Sequence, residues 1–382
     1  MIAACASLKY ATASTSSSLN AVAGAAVSGS GAVGSVTGGS AAVLMAELKG
    51  GGWGGRKRAA LHHACPPLPN ENPPPRSIFA EIETVLHALS LYGAAGLAAF
   101  GWAVGWLLGV PTAPWLPLWF CAALLIYNAD RLRPDPADAL NVPARTAASA
   151  RLRTASSVTL TLAALVLIGL PVWRRDWMVL ACILGGSITS LGYSIPILGF
   201  RWKDIPLVKS VFAPAIVTVS LIAPALQRDK EAFRKLLADF ARSDLTLYSW
   251  SGDGMALLLW VFAYLLFNML LCDLRDRAGD AQCGIRSIPV VLGEKGARAL
   301  LWALAALGQV LLAAIIRSRL IEGLPLACLA LLTGLYQAYL LQATRRLRSE
   351  RFYEWAVEGL LYLPALACGL ALFISRHTSP VG

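Results

Sequence analysis

The sequence predicts an all-α integral membrane protein, a bundle of about nine transmembrane helices, and three observations carry that prediction. The chain is 57% hydrophobic and only 14% charged, too apolar for an ordinary soluble enzyme. Its apolar residues come in long runs of about 17 to 25, the length one helix needs to cross a bilayer. The runs also lack the short alternating segments of an outer-membrane barrel.

Taken in order, the runs lie near 85–109, 113–131, 154–173, 177–194, 206–226, 254–272, 298–316, 321–342 and 354–374. Each pair of crossings returns the chain to its starting side. The C-terminal ends of the second, fourth and sixth runs therefore share the face on which the first begins. The polar loops 128–153, 193–209 and 273–298 lie there, joined by the connection carrying Arg345, Arg346, Arg348 and Arg351. Basic residues occur on the opposite face too, but its shortest loop, around Pro111, has none, so the positive bias turns the polar face to a matrix or stroma. On that opposite face Phe233, Leu236, Leu237 and Phe240 recur at helical spacing, which predicts an interfacial amphipathic helix.

Residues 1–75 differ from the rest. They are rich in Ala, Ser, Gly and Thr, acidic only at Glu47 and Glu71, and basic at Lys9, Lys49, Arg56, Lys57 and Arg58. That is the profile of an organelle transit peptide, plastid in preference to mitochondrial, with an unprocessed tail as the alternative. The Pro-rich stretch from Pro66 to Pro75 reads as a linker, leaving 76–382 as the transmembrane domain.

The formal net charge of +11 suits anionic lipid headgroups and an anionic substrate. Nucleic acid is not an expected partner, because the basic residues sit in short loops between apolar runs. Eight cysteines are scattered without a CxxC pair, so neither a disulfide framework nor a zinc site is expected.

The strongest chemical signal follows the sixth run. Asp273, Asp276 and Asp280 are spaced by three and four, which places them on one face of a helix. Convergent carboxylates repel unless a cation joins them. Oxygen-only ligands suit a hard ion, and Mg²⁺ is usually held by one or two carboxylates together with water and substrate phosphates. The plainer alternative is that Asp273 and Asp276 pair with Arg275 and Arg277 at a solvated helix end. Charged groups beside an apolar span are costly and tend to be functional, which favours the metal reading.

A second acidic stretch follows the second run: Asn128, Asp130, Asp135 and Asp138, interrupted by Pro134 and Pro136. The prolines break a regular helix, so no shared face is implied, and Asp130 is the best ligand candidate. The third loop holds Tyr193 and two cations, Lys203 and Lys209, that suit the charge of a departing diphosphate, with ordinary loop charge as the alternative. No span carries a charge near its middle, which argues against a translocation path.

These residues resemble the UbiA superfamily of intramembrane prenyltransferases, whose members share nine transmembrane helices and two Asp-rich motifs, after the second and sixth of them. The resemblance covers roughly residues 80–375. It is closest at Asp273-x-x-Asp276-x-x-Gly279-Asp280, then Gly284 and Arg286-Ser287-Ile288-Pro289-Val290. Tyr193-Ser194, Pro196, Arg201, Lys203, Pro206 and Lys209 are similar to the family's loop after the fourth helix. The first motif departs: the family reads Asn-Asp-x-x-Asp-x-x-x-Asp, whereas here Asn128 is succeeded by Ala129, Asp130 and Arg131. Beyond it, Asn141, Pro143 and Arg145 still resemble the Asn, Pro and Arg on the C-terminal side of the family's motif.

The resemblance implies Mg²⁺-dependent ionisation of a prenyl diphosphate and capture of the allylic cation by an aromatic or tetrapyrrole acceptor in an organelle membrane. It implies Asp273, Asp276 and Asp280 as metal and catalytic residues, with Asn128 and Asp130 opposite them. Lys203, Lys209, Arg286, Tyr193, Asn268 and Arg145 are then the expected substrate contacts. The altered first motif leaves a non-catalytic relative that binds isoprenoid or diphosphate ligands as the alternative.

Overall fold

The computed structural model describes residues 78–132, 136–194, 202, 205–228, 252–318, 323–346 and 348–378. The expected leader and linker, the segment 230–240, Asp135, Arg201 and Lys203 fall outside them, as does the side chain of Asp130. Every regular element among the described residues is helical: α1 Ile78–Ala88, α2 Leu91–Leu107, α3 Leu116–Arg131, α4 Pro136–Asn141, α5 Pro143–Arg151, α6 Arg153–Trp173, α7 Trp177–Ser194, α8 Val208–Arg228, α9 Gly252–Gln282, α10 Ile288–Ser318 and α11 Gly323–Ala343. The chain closes with α12 Glu350–Phe352, a π-helical turn Tyr353–Val357, a 3₁₀ turn Leu360–Tyr362 and α13 Leu363–Thr378.

Among the described residues five helical segments are long and apolar enough to cross a membrane: Arg153–Trp173, Gly254–Gln282, Ile288–Arg317, Leu326–Ala343 and Glu350–Ile374. The α1–α2 pair forms a sixth that is broken by a 61° bend, and three apolar helices, Leu116–Ala129, Trp177–Thr189 and Val208–Ala223, are shorter. All nine predicted runs are therefore helical, but not all are full straight crossings.

The bend comes from Ser90, held in the left-handed region at φ 58°. The last carbonyls of a helix lack intrahelical donors, and side chains of α3 supply them here. Asn128 Nδ2 donates to the carbonyl oxygen of Leu89 at 3.0 Å, and Arg131 Nη1 donates to those of His87 and Ala88.

Two helices extend beyond their predicted ends. α9 continues to Gln282 instead of stopping near 272, because no breaker intervenes before Gly284, at φ 74°. α10 starts at Ile288 instead of 298, with an interruption at Gly293, φ 69°. The charged loop expected between them is thus mostly helix, and it carries the acidic motif.

The core lies between α2, α3, α9 and α10. Phe100, Trp260 and Phe267 are fully buried there, with the Phe100 ring 5.8 Å from Trp260 and 5.3 Å from Tyr264. Close approach of α3 to α2 depends on Gly101, where a Cβ would come within 2.8 Å of the Trp119 ring. This packing fixes α9, and with it the height of the acids at its end.

Candidate functional site

Past Cys272, α9 turns acidic over two helical turns. Asp273, Asp276 and Asp280 are all buried, at 2%, 9% and 0% exposure. Burying a carboxylate without a partner is prohibitively costly, and each of the three has one.

Lys209, in the first turn of α8, donates from Nζ to both oxygens of Asp280, at 2.6 and 2.7 Å, and stands 4.0 Å from Asp273. The neighbouring Ser210 hydroxyl donates to Asp273 Oδ2 and accepts from the Ile288 amide at 3.1 Å, so one serine ties the acid to the start of α10. Arg275 forms a two-pronged pair with Asp276, Nε to Oδ1 at 2.6 Å and Nη2 to Oδ2 at 3.0 Å. Its guanidinium lies over the Tyr353 ring, 5.2 Å from the centroid. Arg277 turns away to Glu294, at 3.7 Å.

The other predicted residues divide. Lys209 joins the acids directly, and the segment after the first motif reaches them through Asn141, whose Oδ1 accepts from the Gly279 amide at 3.0 Å. That contact requires a glycine, since a Cβ at 279 would come within 2.7 Å of Asn141 Cγ.

Asn128 is fully buried, and its amide nitrogen is spent on the Leu89 carbonyl between α1 and α2 and on its own helix. Asn268, one helical turn and more below Asp273, donates to the carbonyl of Val357 at 2.7 Å. Tyr193 stacks on Phe212 with ring centroids 5.5 Å apart. Arg145 gives its backbone amide to Glu350 Oε2 at 3.1 Å. Arg286 is exposed, and its carbonyl accepts from Leu207 at 2.9 Å.

Sequence reasoning missed Glu354 and Glu358 on the last helix. Glu358 stands against Gly93, where a Cβ would be 3.0 Å from its Oε2, and the charges of Arg131, Arg145, Glu354 and Arg275 all reach it. The signal was available: two acids four residues apart at the mouth of an apolar run, where one face of a helix collects them.

Among the described residues no three His, Cys, Asp or Glu side chains stand close enough to hold a metal by themselves. The donor set instead fits an ion bound by one or two carboxylates of Asp273, Asp276 and Asp280 and completed by phosphate oxygens, the usual arrangement for Mg²⁺.

Comparison with known proteins adds the family. The structure aligns with a UbiA homolog from Archaeoglobus fulgidus bound to GPP and Mg²⁺, with TM-score 0.53 and 13% identity, over 76% of this chain and 99% of the other. The same archaeal homolog bound to DMAPP and Mg²⁺ gives TM-score 0.50, 13% identity and the same coverage. At this identity the likeness is one of fold. No curated protein matches the sequence. The match to the UbiA prenyltransferase family runs over residues 135–363, most of the chain and beginning at the C-terminal end of the altered first motif: the chain belongs to the UbiA prenyltransferase family.

Proposed function

We propose that the protein transfers a prenyl group from a prenyl diphosphate to an aromatic, quinone-precursor or tetrapyrrole acceptor, with Mg²⁺, in a plastid or mitochondrial membrane after removal of its leader. One observation carries the reading. Three buried carboxylates and two cations, Lys209 and Arg275, converge at the end of a membrane helix. A diphosphate head needs such a polar mouth, while its isoprenoid tail needs the apolar bundle beside it. The archaeal homologs bound to GPP or DMAPP with Mg²⁺ support the same donor class.

In this scheme the carbon–oxygen bond of the donor breaks with its electron pair leaving on the diphosphate, and the allylic cation is captured by the acceptor, which gives up a proton. Mg²⁺, held by Asp276 with Asp273 or Asp280, would supply Lewis acidity to the departing oxygens. Lys209 and Arg275 stand beside those acids to take phosphate charge, and Arg286 lies exposed at the turn after α9. Tyr193, Asn268 and Arg145 frame the surroundings of the site through their contacts with Phe212, Val357 and Glu350. Lys203, Asn128 and Asp130 complete the proposed set.

The second reading, a binding protein without turnover, is favoured by one feature. Counting the family's first motif from Asn128 puts Ala129, Leu132 and Pro136 at its carboxylate positions.

The deciding experiment incubates the purified protein in liposomes with Mg²⁺ and radiolabelled geranylgeranyl or phytyl diphosphate, offering homogentisate, a dihydroxynaphthoate and chlorophyllide in turn. Labelled product that vanishes in Asp276→Ala, with membrane insertion intact, is the expected result. Turnover retained by Asp276→Ala would sink the site assignment, and donor binding without product from any acceptor would favour the second reading.

A further inference from the structure

The three acids of α9 are not an open metal site waiting for an ion. Lys209 holds Asp280 through both oxygens at 2.6 and 2.7 Å and approaches Asp273 at 4.0 Å. Arg275 takes both oxygens of Asp276 at 2.6 and 3.0 Å. Three negative charges thus face two positive ones that are covalently part of the site, leaving a net charge of −1. The pairs are well shielded: the Asp280 side chain is 0% exposed and Lys209 16%, Arg275 11% and Asp276 12%. Attraction between charges grows as water is removed from between them, so a free divalent ion must displace a partly shielded cation before it can bind.

A diphosphate changes that balance, because its oxygens offer Lys209 and Arg275 another acceptor and Arg and Lys are well suited to phosphate. Once the two cations have moved to the phosphate, Asp276 and Asp280 are free to share a metal with it.

Resting on the proposed prenyl diphosphate chemistry, we infer that Lys209 and Arg275 are built-in counter-ions that close the acidic motif to metal until a diphosphate draws them off, so that divalent ion and diphosphate bind only together. Lys209 and Arg275 act here by positioning and releasing the carboxylates. Each is a lysine or arginine one residue, or one helix, away from the acid it holds. The substrate head itself opens the site.

The test uses the full chain in detergent with Mn²⁺ as the metal probe, read by the loss of its free electron paramagnetic resonance signal. Geranyl S-thiolodiphosphate is the diphosphate probe, and the Asp276→Ala chain corrects for metal held by the probe alone. The wild-type chain is expected to leave Mn²⁺ free until the thiolodiphosphate is added and then to bind it. Lys209→Met and Arg275→Met are expected to bind Mn²⁺ without diphosphate at least about tenfold more tightly than wild type, because each removes one counter-charge beside a shielded carboxylate. Wild-type uptake of Mn²⁺ that is equally tight with and without the probe would overturn the inference alone, as would unchanged metal affinity in both variants. Failure of the thiolodiphosphate to bind at any Mn²⁺ concentration would overturn the prenyl diphosphate reading, and the inference with it.

Discussion

Replacing Gly279 with alanine tests how the acidic motif is locked to the segment beyond the first motif. Gly279 lies inside α9 between Asp276 and Asp280, and Asn141, the last residue of α4, sits so close that a Cβ would come within 2.7 Å of its Cγ. The added methyl must push Asn141 aside, an overpacking cost of about 1–3 kcal/mol. The Gly279 amide then loses its 3.0 Å bond to Asn141 Oδ1, which costs about 1 kcal/mol. Alanine returns about 1 kcal/mol through its better helix propensity. The net destabilisation is about 1–3 kcal/mol, or roughly five- to 150-fold on the docking equilibrium of α4, at 1.4 kcal/mol per decade. Thermal unfolding in detergent, with limited proteolysis between α3 and α6 as a local probe, reads both the global and the local effect. Adding Asn141→Ala removes the clash, so the double variant should recover at least about 1 kcal/mol over Gly279→Ala alone, a non-additive pair. A Gly279→Ala chain that melts and resists protease like wild type, or a double variant whose losses simply add, would refute the lock.

Other substitutions probe the frame around the site. Arg131→Met strips the donors from the His87 and Ala88 carbonyls. It should cost about 2–4 kcal/mol, since hydrogen bonds from charged groups are worth about 1.5–3 kcal/mol each and buried carbonyls are left unpaired; an unchanged melting temperature would show that the bend holds without it. Gly101→Ala drives a methyl into the Trp119 ring and should cost about 1–3 kcal/mol, with Trp119→Leu relieving it; equal melting of the Gly101→Ala chain and wild type would contradict the packing.

The acidic face of α9 was legible because helical periodicity is a property of sequence alone: spacings of three and four align residues whatever surrounds them. The helical character of the apolar runs was legible from their length and hydropathy, but among the described residues only five helical segments, or six with the bent α1–α2 pair, are long and apolar enough to cross a membrane. The break at Ser90 was not legible, because serine is no strong helix breaker and its left-handed conformation is imposed by carbonyl partners that arrive from Asn128 and Arg131, far along the chain. The apolar span ends near 272 by hydropathy, but the helix carrying the acids runs on to Gln282, because nothing before Gly284 stops it. Of the plainer reading of the acids one part holds: Arg275 pairs with Asp276, yet Arg277 goes to Glu294 and Asp273 faces Ser210 and Lys209. Which cation meets which acid depends on the docking of α8 against α9, and no spacing within one segment encodes that.

The π turn at Tyr353–Val357 sets the phase of the last helix. An α-helix advances about 100° per residue, so Glu350 and Glu358, eight apart, would diverge by about 80° around a regular cylinder. One extra residue in the turn, the hallmark of a π-bulge, takes back about 100° of winding and returns the two acids to nearly the same azimuth. Glu350 there receives the amides of Ala144 and Arg145. The start of this last segment is therefore tied to the first turn of α5 through Glu350, and the π turn decides which face Glu358 presents beyond that tie.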